Sequence, residues 1–344
     1  MRYFCTYFDV RYALRGLTLY RSLSRHCPAF RLWVLCMDDE THVLLSGLGL
    51  PNLTAVPLAG LEAWDPELAG VKPRRQRVEY YFTCTPSLPR FILAQHPEVE
   101  LLTYLDADLF FFDSPESVFD EIGSASVAII GHRFPPQLRA FERFGIYNVG
   151  WVSFRRDEAA AECLGWWRER CLEWCHDRCE EGRFADQKYL DDWPRRFKNV
   201  AVLRHQGANV APWNVMAQRL DGTGDRVLVD GTPLVFFHFH GFRRLGRWLY
   251  DTNLGTYGAR ASATVRRRIY GPYVQDLAST ATEVERRTGR RPVDAPARHA
   301  PARWRWGRRW PRIERSVRRV GVVFGVAKGL ALGRLVVLPR GGTA

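Results

Sequence analysis

The chain has 344 residues, 46% hydrophobic and 25% charged, enough apolar material for one large α/β domain or two smaller ones and too much for a disordered polymer. Its 50 Lys and Arg against 37 Asp and Glu give a net charge of +13, but the segment from Arg286 to Ala344 carries 16 of those basic residues against only Asp294 and Glu314. The remainder is close to neutral, which argues against a nucleic-acid-binding core and for a basic tail that meets an anionic surface.

The opening stretch "MRYFCTYFDVRYALRG" places a charge, aromatics and an aspartate where a secretory leader would need an apolar run. The eight cysteines (5, 27, 36, 84, 163, 171, 175 and 179) do not form a compact secreted framework, so reduced thiols and a cytoplasmic location are expected. "RYFCTYFDV" then reads as a strand. "YALRGLTLYRSLSRH" reads as a helix with Leu14, Leu17, Leu19 and Leu23 near one face. "FRLWVLCMDDE" is a second buried strand ending in acids, and "NLTAVPLAGLE" a short third. "TPSLPRFILAQHP" reads as a helix leading into the strand "ELLTYLDADLFFF".

Strands follow at "ASVAIIGHRF" and "GIYNVGWVSFRRD", then a long helix from about Asp157 to Arg178, the element "FADQKYLDDWP", and short strands in "VAVLRH" and "RVLVDGTPLVFFHFHGF". Strands alternating with helices predict a doubly wound, largely parallel α/β sheet, whose ligands sit beyond the carboxyl ends of the strands. Asp9, Asp38 to Glu40, and Asp106 with Asp108 would gather on that edge. The alternation ends near Arg260. Residues 1–260 are therefore read as the main domain, 261–311 as a helical segment and Arg/Pro-rich linker, and 312–344 as a basic-apolar tail. Cys171, Cys175 and Cys179 recur every four residues and read as a core helix face rather than a zinc site, which needs four converging ligands.

The chemistry concentrates in "LLTYLDADLFFFDSP", where Asp106 and Asp108 interrupt an apolar, aromatic run. An ionised carboxylate is costly to bury, so a compensating charge is expected. A D-x-D at a strand end can hold Mg²⁺ or Mn²⁺, which prefer oxygen ligands and keep positions open for substrate phosphates.

Around this pair the chain resembles the nucleotide-sugar-dependent glycosyltransferases of the GT-A fold, in particular the retaining galactosyl- and glucosyltransferases of family 8 and related bacterial envelope enzymes. The resemblance covers roughly residues 1 to 250 and implies a doubly wound mixed sheet, here followed by a C-terminal basic and amphipathic helical extension. In "TYFDVRYALRGLTLYRSL", Thr6, Asp9 and Tyr12 fall where the family holds the uracil and ribose; Asp9 as a helix cap is the plain alternative. "KPRRQRVEYYFTCTPSLPRFIL" offers Arg77, with Lys72, Arg74 and Arg75, as the cation that reaches the nucleotide sugar. In "YNVGWVSF", Asn148 would lie near the transferred sugar and Gly150 would let the backbone pass close to it.

In "FADQKYLDDWP", Asp186 would hydrogen-bond sugar hydroxyls and Gln187 would lie on the face where a nucleophile is sometimes proposed. In "FFHFHGFRR", His238 takes the third metal-ligand position, with His240 as its substitute, Gly241 the family glycine and Arg244 the place of its lysine. The family's following Pro-Trp is absent, the nearest Trp being Trp248. Asp106 would touch ribose as well as metal, and Asp108 would be the firmer ligand. No residue stands out as a general base, although Asp191 and Asp192 are candidates.

The resemblance thus implies metal-dependent transfer of a hexose, with Mn²⁺ or Mg²⁺, from a UDP-linked or similar donor to a glycan or lipid-linked envelope acceptor, with retention. A nucleotidyltransferase acting on sugar phosphates is the alternative enzyme, disfavoured because "TYFDVRYALRG" lacks a Gly-rich phosphate loop. A catalytically silent membrane-bound scaffold is the non-enzymatic one. Trp304, Trp306 and Trp310 among arginines, followed by the apolar run Val320 to Leu338 broken by Lys328 and Arg334, read as an interfacial helix on anionic lipid. On this reading the protein is expected on the inner face of the cell membrane, the alternative being a tail helix that packs on the catalytic domain.

Overall fold

The computed structural model of the chain describes residues 1–223, 226–245, 249–292, 329–330 and 334–337. Four strands, β1 (Arg2–Phe8), β2 (Phe30–Cys36), β3 (Leu53–Pro57) and β4 (Leu101–Leu105), are mutually parallel. A short β5 (Leu109–Phe111) follows, then β6 (Val127–Gly131), β7 (Tyr147–Arg155) and β8 (Val200–Leu203). The seven-stranded sheet has the order β3-β2-β1-β4-β7-β6-β8, with β7 antiparallel to both neighbours. The sheet is therefore doubly wound and mixed, with its order reversing between β1 and β4. In such sheets the crevice outside the strand ends opens at that reversal.

Alternation along β1 explains its two-sided burial: Phe4 and Phe8 enter one core, while Cys5 enters the other with Trp33. On the first face lie α1 (Ala13–His26) and α2 (Asp39–Leu48). Asp38 caps α2 by accepting from Thr41 N at 2.8 Å. The predicted α1 stripe of Leu14, Leu17, Leu19 and Leu23 is buried. Two short helices, α3 (Leu58–Trp64) and α4 (Pro66–Val71), lead to α5 (Arg77–Gln95), which covers the second face. The helix expected over residues 85–97 thus starts at Arg77, where Gln76 and Glu79 form a capping box, and it runs through Pro86 and Pro89. After β5 come α6 (Glu116–Ile122), α7 (Glu158–Glu173) and α8 (Trp193–Arg196). Since α7 ends at Glu173, the three spaced cysteines share no helix: Cys171 and Cys175 are buried and Cys179 is exposed.

Beyond the sheet, β9 (Leu220–Thr223), β10 (Arg226–Val229) and β11 (Thr232–Pro233) form an antiparallel meander. Strand β12 (Phe236–His238) pairs with β5 away from the main sheet. The expected single strand over 100–112 is thereby broken at its aspartates into two strands that serve different sheets. Next come β13 (Arg243–Arg244) and β14 (Leu249–Asp251), then a π-helical turn Val265–Tyr270 that runs into α9 (Gly271–Thr288). Helix α9 lies on α1 and α2: Arg25 pairs with Asp276, and Arg287 donates to Leu48 O at 3.0 Å. Its Tyr273, Val274, Leu277 and Ala281 complete a third core with Phe110, Phe237 and Phe239.

The expected membrane-surface helix over 312–344, like Trp248 and the three tail tryptophans, falls mostly outside the described residues. Those described include β15 (Leu335–Val337), an edge strand antiparallel to β14, so a helix does not continue through these positions. Among the described residues, no helix is long and apolar enough to cross a membrane.

Candidate active site

Strand β4 delivers Asp106 and β5 begins just after Asp108, so both aspartates occupy the turn between the two strands. The turn is pinned by Asp106 N donating to Gly150 O at 3.1 Å and Phe239 N donating to Asp108 O at 2.9 Å. The second bond fastens it to the end of β12, which carries His238. His238 Nε2 lies 3.1 Å from Asp108 Oδ1 and 3.6 Å from Asp106 Oδ2. One ligand atom from each of Asp106, Asp108 and His238 falls within 4.8 Å of the others. His240, the possible substitute, is exposed and lies outside this group.

Two tyrosine hydroxyls orient the acids: Tyr12 donates to Asp108 Oδ2 and Tyr104 to Asp106 Oδ1, each at 2.9 Å. Burial pushes the Asp106 carboxyl up to about 6, and the Asp108 charge adds to this against the opposing effects of His238 and Tyr104. Burial would also raise Asp108, but the His238 imidazole beside it holds that carboxyl well below the usual carboxylate range. Burial opposes the positive form of His238, yet Asp108 and Asp106 outweigh it and raise its pKa. Two carboxylate oxygens and an imidazole nitrogen within 4.8 Å of one another are a donor set that suits a divalent cation.

Other predicted residues gather along the same edge. Asp9, just past β1, accepts from Tyr12 N at 3.1 Å, and its other oxygen lies 2.9 Å from Arg77. Arg77 also reaches Asp38 at 3.4 Å and donates to Tyr81 Oη at 2.6 Å. Of the four basic candidates, Arg77, the first residue of α5, is brought to the ends of β1 and β2. Lys72 pairs instead with Glu62, and Arg75 donates to Leu172 O. Thr6 is fully buried within β1, and its hydroxyl has no hydrogen-bond partner. Tyr12 is committed through its hydroxyl to Asp108, with the Arg15 guanidinium 4.4 Å from its ring centroid.

Asn148, at the start of β7, is buried, and so is Asp186. Burial pushes the Asp186 carboxyl up to about 7 despite a hydrogen bond from Thr85, and Asp106 adds to the rise. Gln187 accepts from Asn148 Nδ2 at 3.2 Å and donates to Phe144 O at 2.9 Å. Gly241 has a left-handed φ of 67°, and a Cβ there would stand 2.3 Å from Asn253 Nδ2, so glycine is required. Arg244 is half-buried on β13, where it pairs with Tyr250. Asp191 accepts from Ile146 N at 2.8 Å and pairs with Lys188, while Asp192 pairs with Arg195. Both candidate bases therefore have structural partners.

Three residues on this edge escaped the sequence reading. Tyr104 lies two positions before Asp106, a spacing that puts strand side chains on one face and could have flagged it. Tyr81 has the same kind of signal, one helical turn after Arg77. His132, 3.3 Å from Asn148 Nδ2, carries no local signal.

No protein-family model matches the chain. Two proteins of Bacillus subtilis (strain 168) are similar to it in sequence. "Uncharacterized protein YfnF" is 36% identical over 248 residues, covering 70% of this chain and 81% of that protein. "Uncharacterized protein YfnD" is 32% identical over 286 residues, covering 82% and 91%. Among solved structures, the galactosyltransferase LgtC in complex with donor and acceptor sugar analogs is similar, with a TM-score of 0.49 and 16% identity over 80% of this chain and 95% of that one.

Proposed function

The chain belongs to the family of Bacillus subtilis YfnF and YfnD, and we propose that it is a glycosyltransferase that moves a hexose from a nucleotide diphosphate sugar to a glycan or lipid-linked acceptor. The observation that carries this reading is the meeting of Asp106, Asp108 and His238, remote in sequence, where the sheet order reverses. A donor set of this kind beside Asp9 and Arg77 suits a metal-bridged nucleoside diphosphate. Asp106, Asp108 and His238 would hold Mn²⁺ or Mg²⁺, which when bound supplies charge neutralisation for the departing diphosphate.

The chain's own groups do the rest. Tyr12 and Tyr104 fix the two carboxylates, and Asp9 with Arg77 lines the side where the base and ribose of a UDP-type donor bind. Asp186 and Gln187 face the sugar, and Arg244 contributes positive charge toward the leaving phosphate. In the transfer a bond forms between the acceptor oxygen and the anomeric carbon while the anomeric carbon–diphosphate oxygen bond breaks. The acceptor proton leaves with the nucleoside diphosphate, and the configuration at the anomeric carbon is retained. The basic tail supports a further reading, action at an anionic membrane face on an envelope acceptor.

Donor hydrolysis measured with and without Mn²⁺ tests the proposal. Asp108→Asn is expected to lower the Mn²⁺-dependent rate by about 100-fold or more, as loss of a key electrostatic stabiliser does. A parent-like rate in this variant would remove the metal assignment, and calorimetry showing no binding of UDP with Mn²⁺ to the parent would favour a silent scaffold.

A further inference from the structure

Asn148 is hydrogen-bonded at both ends inside the protein. Its Oδ1 lies 3.1 Å from His238 Nδ1 and accepts from Gly150 N at 3.1 Å. Its Nδ2 donates to Gln187 Oε1 at 3.2 Å and lies 3.3 Å from His132 Nε2. On the far side of that imidazole, His132 Nδ1 is 3.3 Å from the Ile146 carbonyl, which can only accept. The ring is buried, stacks on Phe134 at 4.7 Å between centroids, and is fastened through its own carbonyl by Trp213 Nε1 and Asn214 Nδ2.

These contacts permit one consistent set of directions. His132 spends its single N–H on Ile146 O, so Nε2 must accept, and burial favours this neutral ring by pushing its pKa down to about 3. Asn148 therefore turns its NH₂ toward His132 and Gln187, which leaves Oδ1 as the acceptor for His238. His238 then commits Nδ1–H to Asn148, and Nε2 is the nitrogen that faces Asp106 and Asp108. We propose that His132 and Asn148 are positioning residues, a directional hydrogen-bond relay that fixes the tautomer and ring orientation of His238 for a divalent cation. The inference rests on the metal reading given above. It moves Asn148 from a sugar contact to a support that acts through His238 and Gln187. It also explains the glycine two residues on: a Cβ at Gly150 would stand 2.5 Å from Asn148 Oδ1 and 2.9 Å from His238 Nδ1.

The test is calorimetric Mn²⁺ titration of the full-length protein without donor, alongside His132→Phe, His132→Gln and Asn148→Leu. Removing such an outer partner costs about tenfold or more in metal affinity. His132→Phe and Asn148→Leu should show that loss, whereas His132→Gln, whose amide oxygen can accept from Asn148, should keep most of the affinity. Parent-like binding in His132→Phe or Asn148→Leu overturns the relay, as does His132→Gln binding no better than His132→Phe. The parent supplies an arm that needs no variant: in the Mg²⁺-loaded protein, long-range ¹H–¹⁵N spectra should show both His132 and His238 protonated at Nδ1 alone, and any other pattern overturns the proposal. A parent that binds no Mn²⁺ at all removes the metal reading itself, an outcome distinct from variants that bind as well as a binding parent.

Discussion

Gly150 sits against the contact between Asn148 and His238, and its missing side chain is what lets those two groups meet. Gly150→Ala should leave a folded protein destabilised by about 1–3 kcal/mol, the usual range for an overpacked interior. Because the atoms displaced are Asn148 Oδ1 and His238 Nδ1, Mn²⁺ affinity should fall with stability. Thermal unfolding paired with calorimetry measures both, and unchanged affinity would mean that the contact does not govern the site. At this scale Asp106 and Asp108 were legible because carboxylates in an apolar run need compensation. Tyr104 was only half legible: its two-residue spacing from Asp106 is a signal, but a tyrosine in a buried strand reads as core, and only the turn after it shows what its hydroxyl reaches.

At the level of elements, Asp65 joins three helices. It caps α4 by accepting from Leu68 N at 3.2 Å, accepts from Ser87 of α5 at 2.9 Å, and takes a two-pronged contact from Arg168 of α7, with Nε at 2.7 Å. Burial alone would raise its pKa, but Arg168, Ser87 and the helix backbone outweigh that and lower it. Asp65→Asn leaves the mostly buried Arg168 with the exposed Glu67 as its remaining charged partner and should cost about 2–3 kcal/mol at pH 7, less than a fully orphaned buried charge. A carboxyl with a lowered folded-state pKa adds stability above its unfolded value, near pH 4, and loses it as pH falls through the folded value. The gap between parent and variant in urea denaturation should therefore shrink at pH 3. A gap independent of pH would show that packing, not charge, is lost. The helix read over residues 85–97 begins earlier, at Arg77, because the capping box at its start and the packing of α5 against the sheet sustain a helix through Pro86 and Pro89 that local propensity disfavours.

In the whole molecule, α9 closes the core behind the strand that carries His238: Tyr273 stacks on Phe239 at 3.6 Å between centroids, next to that histidine. This helix lies beyond the expected end of the main domain near residue 260 yet shares its core. The charge asymmetry of the tail also belongs to this scale. With 16 basic residues against two acids after Glu285, the full-length protein should sediment with anionic vesicles at low salt and be released as salt rises. A chain ended after Pro292, which keeps α9, should stay in the supernatant. Equal binding by the two, or binding to neutral vesicles, would assign the attachment to another surface.

The sequence by itself determined the alternation of strands and helices, the order of the chemistry-bearing motifs, and the acidic pair, because period and composition are local properties. Only the tertiary structure decided that β7 runs antiparallel between β4 and β6, since strand direction depends on partners distant in the chain. It also decided that the strand carrying the aspartates breaks in two and that His238, rather than His240, closes the group. The route from His132 through Asn148 to His238 joins three separate segments by the direction of single hydrogen bonds, and no periodicity encodes that.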